Sequence, residues 1–157
     1  MKKNHFLLLI FILSIFQTAF LDRFNLFGVK PDIMLVAVVI AGLCFELRWA
    51  FFYALIAGLL KDTFSSSPHI LYTILFIFLA FFISKIRRKI SIDNNFMRLV
   101  LIFIVSFLCS VVIGILFSLW ARFIPIGIFL RTAFLDSIFT VSVSCLAFKF
   151  LKPEFYL

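Results

Sequence analysis

The sequence predicts an all-α integral membrane protein with six transmembrane helices, and three observations carry that prediction. The 157 residues are 65% hydrophobic and 14% charged, with mean hydropathy +1.24; a soluble domain is about 45–50% apolar and about 25% charged. No polar stretch exceeds a short loop, so residues 1–157 form a single membrane domain. Lys and Arg gather at the ends of apolar runs, so the net charge of +8 reads as topology before partners. Nothing resembles a nucleic-acid patch. Cys44, Cys109 and Cys145 lie inside apolar segments without CxxC spacing, as packing residues do.

The first span, about 5–21, begins like a signal peptide with Lys2, Lys3 and the apolar run 6–16. Gln17-Thr18-Ala19-Phe20 lacks a small-x-small cleavage pattern, so the segment reads as an uncleaved helix. A polar connection follows over 22–30. Pro31-Asp32 then opens a second helix over 32–45, with Pro at the first helical position and the acid at the positive end of the macrodipole. Glu46 and Arg48 interrupt the apolar pattern, and a third helix runs over 49–60. Both halves are short: about 14 residues make about 21 Å of helix against roughly 30 Å of hydrocarbon. One continuous helix over 32–60 would bury Glu46 and Arg48 at roughly 2.5–3.5 kcal/mol each. Two short crossings or a re-entrant hairpin both avoid that cost.

Ser65-Ser-Ser-Pro68 is a turn that also starts the fourth helix, with Ser67 as N-cap and Pro68 at N1. That helix spans 70–84 and gives way to a basic loop with Lys85, Arg87, Arg88 and Lys89. The fifth and sixth spans cover 99–120 and 128–148. With six crossings and a cytoplasmic N-terminus, ten of the 15 Lys and Arg fall inside and five outside, namely Arg23, Lys30, Lys61, Arg122 and Arg131. A single crossing over 32–60 would place the Lys85–Lys89 cluster outside. A re-entrant hairpin keeps the same count as two crossings.

Two stripes carry the polar chemistry. Ala50, Ala54, Gly58 and Asp62 fall four apart, so one helix face presents three small residues and an acid. A helix end at the membrane surface with a solvated Asp62 is the bland alternative. On the last helix Asp136, Thr140 and Ser144 are spaced by four with Ser137 beside them, a stripe that must face the bundle or a partner. Arg122 or Lys61 from another helix is a candidate partner for Asp136; a structural ion pair or hydrogen bond explains this acid as well as a functional role does. The basic loop reads as a contact for anionic lipids, or for a cytoplasmic partner. No HExxH, GxSxG, Ser/Lys or paired-acid arrangement or phosphate-binding Gly loop is present, which points away from an enzyme; no cofactor or metal is implied.

Lys30-Pro31-Asp32 opening a short helix, Gly58-Leu-Leu-Lys-Asp62 closing the next, and Ser65-Ser-Ser-Pro68 before an apolar helix ending in Lys/Arg together resemble the MreD family. Pro31, Asp32, Gly58, Asp62, Ser65 and Pro68 are the positions that carry the likeness; Ser66 and Ile70 stand where the family pattern has glycines. The resemblance implies a non-enzymatic subunit of the cell-wall elongation complex in the bacterial inner membrane. It would bind the single-span protein MreC and work indirectly with MreB, RodA and a penicillin-binding transpeptidase. It also implies a fold similar to the substrate-binding subunits of energy-coupling-factor vitamin transporters, and such a transporter subunit is the alternative reading. Few polar groups lie in the outer loops, where a vitamin pocket would need them. The expected mechanism is a scaffold offering a membrane groove to a partner helix, with Asp62 and Asp136 positioning the polar contacts.

Overall fold

The computed structural model describes residues 3–21, 31–64, 70–89, 95–120 and 126–151. Among the described residues there are six α-helices and no strand: α1 (Lys3–Phe16), α2 (Ile33–Cys44), α3 (Leu47–Phe64), α4 (Leu71–Lys89), α5 (Asn95–Trp120) and α6 (Ile126–Leu151). A π-helical turn, Gln17–Leu21, continues α1. The polar connection 22–30 and the Ser65–Pro68 turn lie outside the described residues, as does the expected cap at Ser67.

The exterior is apolar, and the interior, itself mainly apolar, also holds several polar groups. Exposed positions include Leu8, Ile12 and Ile15 on α1, Ile74, Phe78 and Phe82 on α4, and Ile104, Leu108 and Ile115 on α5. Buried positions include Asp32, Thr73, Ser84, Ser106, Ser137, Thr140 and Ser144. Such a surface is stable where the surroundings are hydrocarbon. Among the described residues one segment, Phe96–Leu116, is long and apolar enough by itself to cross a membrane; His5–Ala19 and Ile33–Cys44 are shorter apolar helices.

Helix α2 is the axis of the fold. Every residue from Met34 to Gly42 is buried, and α2 touches α1, α3, α4, α5 and α6. At 12 residues it is about 18 Å long, so the expected shortness of this helix is found. The third helix is not short. It has 18 residues and about 27 Å of length, because it starts at Leu47 and continues past the apolar run through Lys61 and Asp62. Those two side chains find partners inside the protein, which removes the reason to stop the helix at residue 60.

The packing divides into a four-helix unit, α1–α4, in which α3 and α4 are the most extensively paired, and an α5–α6 hairpin that meets it mainly along α2. Ala50, Ala54, Ala57 and Gly58 are buried, so the small-residue face of α3 serves internal packing. A Cβ on Gly58 would collide with the Thr73 backbone, whose amide nitrogen lies 3.0 Å from that position. Phe6, Phe45 and Tyr53 join α1 and α3 to the α2–α3 elbow, with ring centroids 4.9–5.0 Å apart. Phe103 and Phe134, 5.9 Å apart edge to face, tie α5 to α6.

Two boundaries correct the sequence reading. Lys85, Arg87, Arg88 and Lys89 are the last turns of α4, not a loop. Long aliphatic stems let basic residues stay helical while their heads reach water, and the Arg87 guanidinium donates to the Phe45 carbonyl at 3.1 Å. Pro31 precedes the helix it was expected to begin. Asp32 occupies the N-cap, accepting from the Leu35 amide at 3.1 Å, so the acid stands just before the first turn rather than inside it.

Candidate functional site: a buried polar layer

The start of α2, the ends of α1 and α3, the start of α4 and the middle of α6 converge in one polar layer. Its centre is Asp32. One carboxylate oxygen caps α2, and the other accepts from the Lys61 ammonium, an ion pair whose side chains are 11% and 14% exposed. The Asp32 amide, which no helix turn can satisfy, donates to Thr140 Oγ1 at 3.1 Å. Another orphan donor, the Met34 amide, is taken by Gln17 Oε1 at 3.1 Å. Lys61 lies 4.1 Å from the Tyr72 ring centroid and 5.3 Å from that of Phe76, so two aromatic faces and a carboxylate enclose the cation.

Asp62 completes the layer on the α4 side. Its carboxylate accepts from the amides of Tyr72 and Thr73, at 3.0 and 2.9 Å, and from the Thr73 hydroxyl at 2.6 Å. An acid on one helix thereby caps the next, where the positive end of the macrodipole favours it. The solvated Asp62 of the bland reading is not found; the side chain is half-buried and engaged at both oxygens.

Asp136 lies about 15 Å from the start of α6, whose full length is about 39 Å. Its partner is Ser110 on α5, whose hydroxyl donates at 2.5 Å. Of the two structural alternatives the hydrogen bond is the one found; Lys61, one candidate ion-pair partner, is committed to Asp32, and Arg122 lies outside the described residues. The rest of the α6 stripe faces inward, with Ser137, Thr140 and Ser144 all fully buried. Thr140 reaches Asp32, whereas Ser137 and Ser144 donate back to their own helix, at Ala133 and Val141. On α5, Ser106 is buried, and its hydroxyl has no hydrogen-bond partner among the described residues.

Thr140 stands about 21 Å along α6, and Lys61 about 21 Å along α3 from its start at Leu47. The layer therefore meets α6 near its middle but α3 and α4 near their ends, and α2 is a short helix whose capped N-terminus stops there. Among the described residues no group of three His, Cys, Asp or Glu could hold a metal ion. The layer binds helices to one another: each acid is satisfied by a neighbouring helix within the chain.

Of the residues singled out from sequence, Asp32 and Asp62 enter the layer, Gly58 packs one turn from Asp62, and Asp136 forms its own link between α5 and α6. Ser65 and Pro68 lie outside the described residues. Lys61, Gln17, Thr73 and Ser110 were not expected as structural partners in these pairs. The family model of the rod shape-determining protein MreD matches residues 2–153. The chain belongs to the MreD family. No curated protein and no solved structure matches it. Family membership gives the protein a role in rod shape determination and makes it a member of a membrane protein family. The Asp32–Lys61 pair and the Asp62 cap are this MreD-family chain's own means of holding its core helices together.

Proposed function

We propose that this MreD-family protein is a six-span, non-enzymatic subunit of the cell-wall elongation complex in the bacterial inner membrane, with both termini cytoplasmic. It binds an MreC-like single-span protein, and through it helps MreB, RodA and a penicillin-binding transpeptidase organise peptidoglycan synthesis. The observation that supports this best is the internally closed polar layer. Both acids in it, and Asp136 in its own link, fix one helix against another, as a rigid scaffold requires, and the apolar outer faces are left for lipid or a partner helix. The expected role of Asp62 and Asp136 as direct partner contacts gives way to an indirect one, in which they hold the helices that make the contact. The basic end of α4 supports a cytoplasmic orientation and attraction to anionic lipids. The family's fold likeness to the substrate-binding subunits of vitamin transporters remains part of this proposal.

The test is complementation in a rod-shaped cell depleted of its own MreD-family protein. Wild-type chain is expected to restore rods, and Lys61→Met to leave rounded cells when its expression is raised to match the wild-type membrane abundance. Rods restored by Lys61→Met at normal abundance would contradict the scaffold reading. Topology is tested separately in a background lacking the native cysteines. Glu46→Cys is expected to react with a membrane-impermeant thiol reagent only from the cytoplasmic side; labelling from outside alone would overturn the six-span arrangement.

A further inference from the structure

At the opposite end of α2 from the polar layer, the α2–α3 elbow and the last turns of α4 enclose a cleft of about 520 Å³. That lies within the roughly 300–1,000 Å³ range of small-molecule sites. Gly42 forms its floor, where α2 and α4 approach so closely that a Cβ would lie 2.9 Å from Ile83. The walls carry Glu46, Arg48, Ser84 and Arg87. Ser84 is 5% exposed and reaches the Gly42 carbonyl at 3.5 Å. Arg48 and Glu46 are exposed at the mouth, and neither has an ion-pair partner among the described residues.

We propose that this cleft holds the headgroup of a zwitterionic aminophospholipid, with its phosphate between the Arg48 and Arg87 guanidiniums and its primary ammonium on Glu46. Two guanidiniums supply planar, charge-assisted donors suited to phosphate oxygens. Leu47 and Arg48, the first residues of α3, also line the cleft. A patch serving only to attract anionic lipid gains nothing from an acid in its wall. Glu46 opposes a purely anionic headgroup and complements an amine, so the three charges together match phosphoethanolamine better than phosphoglycerol or phosphocholine. The exposed Phe52, Phe81 and Phe82 on α3 and α4 offer an apolar surface for the acyl chains below the headgroup. The proposed topology, on which this one point rests, places the headgroup in the inner leaflet.

The test uses the full chain carrying Trp120→Phe, which leaves Trp49, next to Arg48, as its one tryptophan. The purified protein is reconstituted in phosphatidylcholine vesicles containing brominated-chain lipid with a phosphoethanolamine, phosphocholine or phosphoglycerol headgroup, and quenching of Trp49 is followed. The phosphoethanolamine lipid is expected to quench at about tenfold lower mole fraction than the other two, a difference of about 1.4 kcal/mol. Glu46→Gln is expected to abolish its advantage over phosphoglycerol, and Arg48→Gln to weaken it several-fold, both with unchanged helix content by circular dichroism. Equal quenching by all three lipids, stronger quenching by phosphoglycerol, or a preference that survives Glu46→Gln would overturn the proposal. Labelling of Glu46→Cys from outside would instead refute the topology and leave the headgroup preference standing.

Discussion

Lys61, near the end of α3, donates to the Asp32 carboxylate that caps α2, 29 residues earlier in the chain. The pair fastens the short central helix to the helix that follows it, in a layer where both side chains are largely buried. Its energetics follow from burial. Removing one member leaves the other charge uncompensated, at about 3–5 kcal/mol, whereas removing both leaves neither. Lys61→Met and Asp32→Asn are each expected to lower thermal stability in detergent sharply. The double variant should be more stable than the sum of the two losses predicts, and a thermal-melt double-mutant cycle measures the difference.

The Asp62 cap should behave as a helix cap acting from a neighbouring helix. Asp62→Ala removes three acceptor contacts and leaves the Tyr72 and Thr73 amides unsatisfied, at about 2 kcal/mol. Asp62→Asn keeps one acceptor oxygen and is expected to cost less. Hydrogen exchange at the first turn of α4 checks this, with faster exchange confined to that turn in the Ala variant.

Gly58 tests how tightly α3 and α4 are pressed together. Because the obstacle to a Cβ is the Thr73 backbone rather than a movable side-chain tip, Gly58→Ala should destabilise by about 1–3 kcal/mol. Gly58→Leu should prevent accumulation of folded protein. Detergent size-exclusion profiles of the two variants distinguish graded strain from loss of fold.

Asp136 and Ser110 link α5 to α6 by a single hydrogen bond. Asp136→Asn can still accept from Ser110, so stability should change little; Asp136→Leu leaves the Ser110 hydroxyl without its acceptor and should cost about 1–3 kcal/mol. If Asp136 serves only to hold the hairpin, Asp136→Asn will support normal cell shape. Rounded cells with a stable Asp136→Asn protein would show that the charge itself has a further role.

Much of the helical layout was legible because apolar runs and breaker residues are local signals. The split between α2 and α3 followed from Glu46 and Arg48, and the inward-facing α6 stripe followed from the spacing of Asp136, Thr140 and Ser144. Helix ends were less legible. α3 continues through Lys61 and Asp62 because their partners, Asp32 and Thr73, sit on other helices, and no local pattern reveals that. Ser110 is one serine in a long apolar run, without a feature to mark it as the acid's partner. In the sequence Gln17 marks only a poor cleavage site, yet it satisfies an amide at the start of α2. Pairing between helices is a tertiary fact, and six apolar segments allow many pairings.

The most direct test of the scaffold account is affinity purification of the tagged chain from native membranes after gentle detergent extraction, with mass spectrometry of what accompanies it. The account predicts recovery of an MreC-like single-span protein together with cell-wall synthases. Recovery of paired ATPases with a large transmembrane coupling subunit would contradict it and establish a transporter subunit in its place.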